Sequence, residues 1–392
     1  MSQFETRENP TRQRVPDVRP NPCRVLEKQN SMGHDLTVID WQSHQEFHLT
    51  LRPLPGENPT GTVRRLAAIL RDKDASIVRQ EIFGSIAAHA ETLRALRHEF
   101  GSVDWPVTWV ESSGSGCGGI SGMHIFAVTG TRVNTIRQKG KVIGRVFDDG
   151  YVRHCFLGNL MPSNPSVPKS AQSREMFERM EQALLEAGMD MTNVVRTWLF
   201  LDDILSWYGE FNGTRTGFFR EKKLLNGLLP ASTGIGGRNP MGAAIVGGAW
   251  AVQATYDLVA VWAVPSPLQC SSLEYGSTFN RAVLIDMPAG RRLLISGTAS
   301  IEPNGRSAHV GDLRKQIVLT MEVAHAILAS RGFNFFDVTR ATAYFKNIQD
   351  APAFDAWRRE QKVEPFPLVV AESTICRDEL LFEIELDALV VR

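Results

Sequence analysis

The sequence predicts an α+β fold made of repeated units, each a mixed β-sheet with helices packed on one face. Two observations carry that prediction. Three short stretches, residues 77–83, 194–200 and 338–344, share one pattern: apolar and polar positions largely alternate, and β-branched or aromatic residues are frequent. Strands read this way. Each stretch also follows an amphipathic helical candidate, and in the last two units the pair is flanked by further apolar runs. A chain of 392 residues, 43% hydrophobic, has room for two to three such packed units.

In chain order, residues 1–40 are polar, carry Pro10, Pro16, Pro20 and Pro22, and contain no apolar signal core. They read as an N-terminal arm. Residues 41–130 form the most divergent unit, with a short helix over 62–70 ahead of the strand at 77–83. A Gly/Ser-rich separator at 112–122 follows it. The middle unit, 145–268, opens with a strand that breaks at Gly158 and turns through the proline-rich 162–168. Its helix over 173–187 shows Phe177, Met180, Leu184 and Leu185 as a stripe and Gly188 as its stop. The apolar region 241–264 is interrupted by Gln253 and Asp257, so it predicts a buried strand pair and not a membrane span. Pro265-Ser266-Pro267 closes this unit. The third unit, 280–392, begins with a hairpin turn at 286–290 and a strand that breaks at Gly297. A helix over 313–330 follows, with Ile317, Met321, Ala324 and Leu328 on one face and Gly332 after it.

Composition excludes several function classes. With 43 basic against 43 acidic residues the formal charge is zero, which gives no electrostatic basis for nucleic acid or an anionic membrane. Five scattered cysteines without a C-x-x-C pair suggest neither a disulfide framework nor structural zinc, and a reducing cytoplasm is the simplest location. Low net charge suits burial of surface in an oligomer. The run 114–119 matches G-x-G-x-x-G, yet strand-like residues 123–128 follow it where a dinucleotide fingerprint needs a helix. It reads as a linker or a pocket lining. His44 and His48 lack the context of a metal site, and no G-x-S-x-G elbow is present.

Three polar clusters stand out. Ser296, Gly297, Thr298 and Ser300, with His309, Asp312 and Gln316, are either an ordinary capped turn or a nest of free N–H groups for an oxyanion. Tyr208, Arg215 and Arg220, with the glycines of 233–238 including Gly237, offer cationic grips and close approach to a flat ligand. The arginines are otherwise solvated helix residues. In the last cluster, alternation over 381–386 puts Glu383 and Glu385 on one face and Phe382, Ile384 and Leu386 on the other. The carboxylates either face solvent or include a cleft acid of raised pKa. Cys376 precedes Glu383 by an odd number of residues, so both reach one cleft only if a turn or bulge near 377–379 interrupts the strand.

These segments resemble the YjgF/Rid superfamily, also called endoribonuclease L-PSP or translation initiation inhibitor. More narrowly they resemble its chorismatase branch, through 230–237, through 296–301 with 309–312, and through 375–377 leading to 381–385. The resemblance covers roughly 148–392. It implies YjgF-like units around a threefold or pseudo-threefold axis with pockets at their junctions, in a trimer or pseudo-trimer. It also implies a small carboxylated substrate, no cofactor and no metal. Chorismatases cleave pyruvate from the enol ether of chorismate. The resemblance assigns Glu383 as general acid, Cys376 as the residue that biases the fate of the intermediate, and Tyr208, Arg215 and Arg281 as substrate anchors. Gly237, Ser296 and Thr298 are further expected substrate contacts. Residues 269–282 are compressed relative to the family's longer proline-containing segment. The arginine of a P-x-R segment, used by imine-deaminating relatives, is absent at Pro367-Leu368 and at Pro230-Ala231-Ser232. An enamine or imine deaminase, or a non-catalytic ligand-binding protein of the same fold, are the alternative functions.

Overall fold

The computed structural model describes residues 23–41, 43–113 and 119–392. The glycine-rich run, apart from Gly119, and residues 1–22 of the expected arm lie outside these. The first unit runs β1 (Arg24–Ser31), β2 (His34–Asp40), β3 (Gln45–Leu51), α1 (Pro59–Arg71), β4 (Ser76–Gly84), α2 (Ile86–Phe100), β5 (Val107–Glu111) and β6 (Ile120–Thr129). The second runs β7 (Asn134–Gln138), β8 (Lys141–Asp148), β9 (Val152–Leu160), α3 (Lys169–Glu186), β10 (Val194–Leu201), α4 (Ile204–Glu221), β11 (Ala231–Gly236) and β12 (Ile245–Ala254). The third runs β13 (Ala260–Val264), β14 (Ala282–Met287), β15 (Gly290–Ala299), α5 (Leu313–Ala329), β16 (Val338–Phe345), α6 (Pro352–Glu360), β17 (Leu368–Glu372) and β18 (Phe382–Val391).

The three sheets share one connectivity. Each has six strands whose spatial order, numbered within the unit, is 1-2-3-6-4-5. In each, the fourth and fifth strands pair parallel and the other pairings are antiparallel. The repeated α+β reading is therefore correct, and the first unit shares it fully. Three helices beyond the predicted ones, α2, α4 and α6, complete the units. Two local expectations need correcting. Residues 24–40 are the first two strands of sheet one: β1 is an edge strand held by its pairing with β2, and Leu36 and Val38 of β2 bury in one core with Val63 and Leu66 of α1. Residues 241–264 are not a strand pair: β12 is central to the second sheet, whereas β13 is an edge of the third and pairs only with β14. Pro265-Ser266-Pro267 thus lies inside the third unit.

Local chemistry fixes the elements. Asn58 caps α1 by accepting from the Gly61 N–H at 2.8 Å, with Pro59 as the first helical residue. Asp312 caps α5 through the Lys315 N–H. Every residue of β10 and of β16 is buried, because one face packs on the helices and the other on neighbouring sheets. Each unit accordingly has its own helix–sheet core, and a fourth apolar cluster is drawn from all three sheets.

The units close head to tail. β4 and β5 of the first lie against β8 and β9 of the second, β11 of the second against β15 of the third, and β17 of the third against β3 and β6 of the first. This is a heterologous contact repeated until it closes, giving pseudo-threefold symmetry within one chain. Arg79, Arg196 and Arg340 hold the same register in β4, β10 and β16, opposite Phe126, Trp250 and Asp387. Their guanidinium carbons lie 3.3, 5.1 and 5.2 Å from the centroid of the Trp198 ring. Arg79 pairs with Glu81, Arg340 bridges Glu81 and Glu385 at 2.6 and 2.7 Å, and Arg196 reaches Glu385 at 2.6 Å. A ring of paired charges thus fills the place where the three units meet, as buried charge requires. No helix among the described residues is long and apolar enough to cross a membrane.

Candidate active site

Between the second and third units lies a cavity of about 200 Å³. The second unit supplies Tyr208, Asn212 and Arg215 from α4 and Ser232 and Gly234 from β11. The third supplies Glu383 from β18, Gly297 and Ala299 from β15, and Cys376 and Arg377 from the loop before β18. The compressed segment 269–282 forms the remaining wall, presenting Tyr275, Ser277, Phe279 and Arg281. Although short, it is firmly tied. Gln269 donates to the carbonyls of Ala299 and Ile301 at 3.0 and 3.2 Å, Ser271 and Glu274 form a capping box, and the Ser272 hydroxyl donates to the Phe279 carbonyl at 2.6 Å.

Glu383 and Glu385 point to the inner face of sheet three, while Phe382, Ile384 and Leu386 enter its helix-side core. Both carboxyls are buried; neither is a solvated strand residue. Their environments differ sharply. Glu385 accepts from Arg196, Arg340 and the Thr233 hydroxyl. Burial opposes its charge, but those partners hold its carboxyl well below the usual range. Glu383 has no hydrogen-bond donor among the described residues. Burial, helped by the charge of Glu385 and opposed by Arg281 and Arg196, raises its pKa to about 8. It is therefore a neutral acid at pH 7 facing the cavity. Gly297 makes room for it: a Cβ there would overlap the Glu383 carboxyl.

Cys376 is not in the strand, which begins at Phe382; it lies in the loop, ahead of a turn in which the Leu380 N–H donates to the Arg377 carbonyl at 3.1 Å. That turn is the break in alternation which brings Cys376 and Glu383 to one cavity. Gln316 pins the loop, donating to Glu379 O at 2.9 Å and accepting from the Leu381 N–H at 2.8 Å. The cluster around His309 thus resolves as a capped turn. Burial, then the charge of Glu383, pushes the Cys376 thiol up to about 12, so it is a neutral neighbour and not a thiolate. Two guanidiniums have free donors. The Nη2 of Arg281 is buried without a partner, with the group 5.3 and 5.6 Å from the Tyr275 and Phe279 ring centroids. The Nε of Arg215 is likewise unpartnered, while its Nη2 donates to Asn212 at 2.7 Å.

Comparison with known proteins gives concordant matches. The family model for endoribonuclease L-PSP matches residues 273–390. A RutC family protein of Pyrococcus horikoshii is 32% identical over 98 residues, which are 25% of this chain and 78% of that protein. A 3-hydroxybenzoate synthase of Streptomyces hygroscopicus is 28% identical over 255 residues, spanning 56% of this chain and 70% of the relative. The chain belongs to the endoribonuclease L-PSP (YjgF/Rid) superfamily. A crystal structure of a chorismatase has the same fold, with a TM-score of 0.61 and 18% identity, covering 80% of this chain and 93% of that one.

Within this L-PSP-type fold the cavity gathers five of the expected residues: Tyr208, Arg215, Arg281, Cys376 and Glu383. Three others stand elsewhere. Gly237 packs where a Cβ would strike Val110, so its backbone serves contact between units one and two. Ser296 is buried behind the wall, accepting from the Ser232 N–H and donating to the Asn280 carbonyl. Thr298 turns back onto the Ser296 carbonyl at 2.9 Å. Arg377, Tyr275 and Phe279 are lining residues the sequence reading missed; the position of Arg377 directly after Cys376 was the available signal.

The other two junctions lack the acid. Glu383 pairs with Tyr344; the same register places Gly122 opposite Phe83 in unit one and Val246 opposite Phe200 in unit two. One chain therefore carries one carboxyl at this position.

Proposed function

We propose that this chorismatase-like enzyme cleaves the enol ether of chorismate or a closely related cyclic dicarboxylate, releasing pyruvate. The observation that carries the reading is the neutral, donor-free carboxyl of Glu383 in a cavity bordered by Arg215, Arg281 and Arg377. Guanidiniums recognise carboxylates bidentately, and two of these retain unpartnered donors. A dianion would be seated by them with its enolpyruvyl group toward Glu383.

Glu383 then protonates the methylene carbon of the enol ether. The double-bond electrons form the new C–H bond, leaving an oxocarbenium centre stabilised by the ether oxygen and by the Glu383 carboxylate just formed. Water adds to that centre, the hemiketal collapses, and pyruvate leaves with the ring alcohol; the proton lost by the attacking water restores Glu383. Alternatively a ring hydroxyl adds to that centre and its proton restores Glu383; loss of a ring proton with cleavage of that oxygen's bond to the ring then aromatises the ring, and the hemiketal left collapses to pyruvate and a hydroxybenzoate. Cys376, neutral and adjacent, is placed to bias that choice. Incubation with chorismate should release pyruvate, with ring products separated chromatographically. No release at high protein concentration rejects chorismate.

A further inference from the structure

Six arginines are buried among the described residues. Arg79, Arg196, Arg292 and Arg340 each pair with a glutamate. The other two, Arg215 and Arg281, pair with no carboxylate among the described residues, and both line the cavity. The half-buried Arg377 lines it too, again without an ion pair among those residues. Like charges around one cavity repel, and an unpaired buried charge is costly. In the free protein two aromatic rings of the wall segment offset that cost. The guanidinium carbons of Arg377 and Arg281 lie over the Tyr275 ring, 5.5 and 5.3 Å from its centroid. Those of Arg281 and Arg215 lie over Phe279, 5.6 and 5.9 Å from its centroid. All four contacts fall within cation–π reach, about 6 Å. The series is Arg377, Tyr275, Arg281, Phe279, Arg215, with a ring between each cation and the next. Backbone carbonyls fix two of the cations: Arg281 Nε donates to Cys270 at 3.0 Å and Arg377 Nη1 to Gly305 at 2.8 Å. Rings carry no net charge, so three positive charges remain for a ligand to neutralise.

We propose that Tyr275 is a specificity-determining residue of this cavity: by holding Arg281 and Arg377 on its ring, it gives a second ligand carboxylate its own guanidinium and so selects a ring bearing two carboxylates over the same ring bearing one. Arg215, at the far end of the series on Phe279, serves the first carboxylate. Tyr275 belongs to the compressed segment 269–282, so the short wall supplies the interleaved rings. Without Tyr275, Arg281 keeps Phe279 but Arg377 loses its ring, and the grip on the second carboxylate weakens.

The inference deepens the proposed function, since it rests on this cavity being the substrate site, and its test needs no turnover. Benzoate and isophthalate are unreactive probes that differ by one carboxylate. In titration calorimetry the parent should bind isophthalate at least tenfold more tightly than benzoate. Tyr275→Leu keeps an apolar side chain in the wall and removes the ring. It should bind isophthalate about tenfold more weakly, as loss of cation–π contacts predicts, with benzoate affinity changing less than threefold. Tyr275→Phe keeps the ring and should bind both probes as the parent does. A parent with no preference for isophthalate overturns the proposal without recourse to any variant. So does an unchanged isophthalate-to-benzoate ratio in a folded Tyr275→Leu protein, or a loss in Tyr275→Phe as large as in Tyr275→Leu. If the probes behave as expected while the parent releases no pyruvate from chorismate, the chorismate reading alone fails. If chorismate is turned over, Tyr275→Leu should raise KM about tenfold with kcat changing less than threefold.

Discussion

Replacing Glu383 by glutamine tests the acid through two independent readouts. Gln cannot protonate carbon, so pyruvate release should fall by about 10²–10⁴-fold, the usual contribution of a positioned general acid. The second readout is stability. In the native protein Glu383 keeps its proton up to about pH 8, whereas its ordinary value is 4.5. Between those pH values the native state binds more protons than the unfolded chain, so stability falls as pH rises through the window and levels off above it. At about 1.4 kcal/mol per pH unit, this linkage reaches at most about 5 kcal/mol, less whatever rearrangement around the charged carboxylate recovers. Gln carries no such linkage. The variant should therefore match the parent near pH 5 and be more stable than it at pH 9, with Tm higher by several degrees. Thermal unfolding from pH 5 to 9, paired with a lactate dehydrogenase-coupled pyruvate assay, checks both. A Tm difference that does not change with pH would refute the raised acid, and retained turnover would refute its role.

Other perturbations follow from the same geometry. Gly297→Ala puts a methyl group into the Glu383 carboxyl; overpacking of this kind costs about 1–3 kcal/mol, and displacing the acid should slow pyruvate release ~100-fold. A variant with parental turnover would contradict the close seat. Arg281→Met removes a buried unpartnered donor from the cavity. Hydrogen bonds to charged groups are worth about 1.5–3 kcal/mol, so KM should rise roughly 10–100-fold with a smaller change in kcat, as steady-state kinetics will show. Cys376, with its thiol near 12, should react with iodoacetamide at pH 8 far more slowly than a free thiol; mass spectrometry showing rapid labelling in the folded protein would refute the neutral state of this half-buried thiol.

The repeat was legible in sequence because both its periods were. Strands at 77–83, 194–200 and 338–344 alternate, and the helices before them carry apolar stripes, so local physics alone marks one α/β unit three times. The family motifs added the acid, the thiol and the anchors of α4. Residues 24–40 were less legible: their prolines ended at Pro22, yet the polar stretch before them made the whole segment resemble an arm. Pairing decided the matter, since a strand such as β1 is defined by what lies beside it. The fate of residues 241–264 was hidden for the same reason, because nothing local tells an apolar run which of two sheets it will join.

The charge state of Glu383 depends wholly on tertiary structure. Sequence placed Glu383 and Glu385 two residues apart on one face and could say no more, since alternation gives two neighbouring glutamates equal standing. Their separation into a neutral acid and a fixed carboxylate comes from residues far away in the chain. Arg196 and Thr233 of the second unit and Arg340 of the third claim Glu385, while burial leaves Glu383 without a donor. Gly122 and Val246, at the equivalent register, show that the fold tolerates junctions without the acid. The sequence by itself determined the units, their helices and strands, and which residue types stood ready for chemistry. Closure of the three units into a ring decided which of them meet, because burial, hydrogen bonding and charge pairing are properties of the junction and of no single segment.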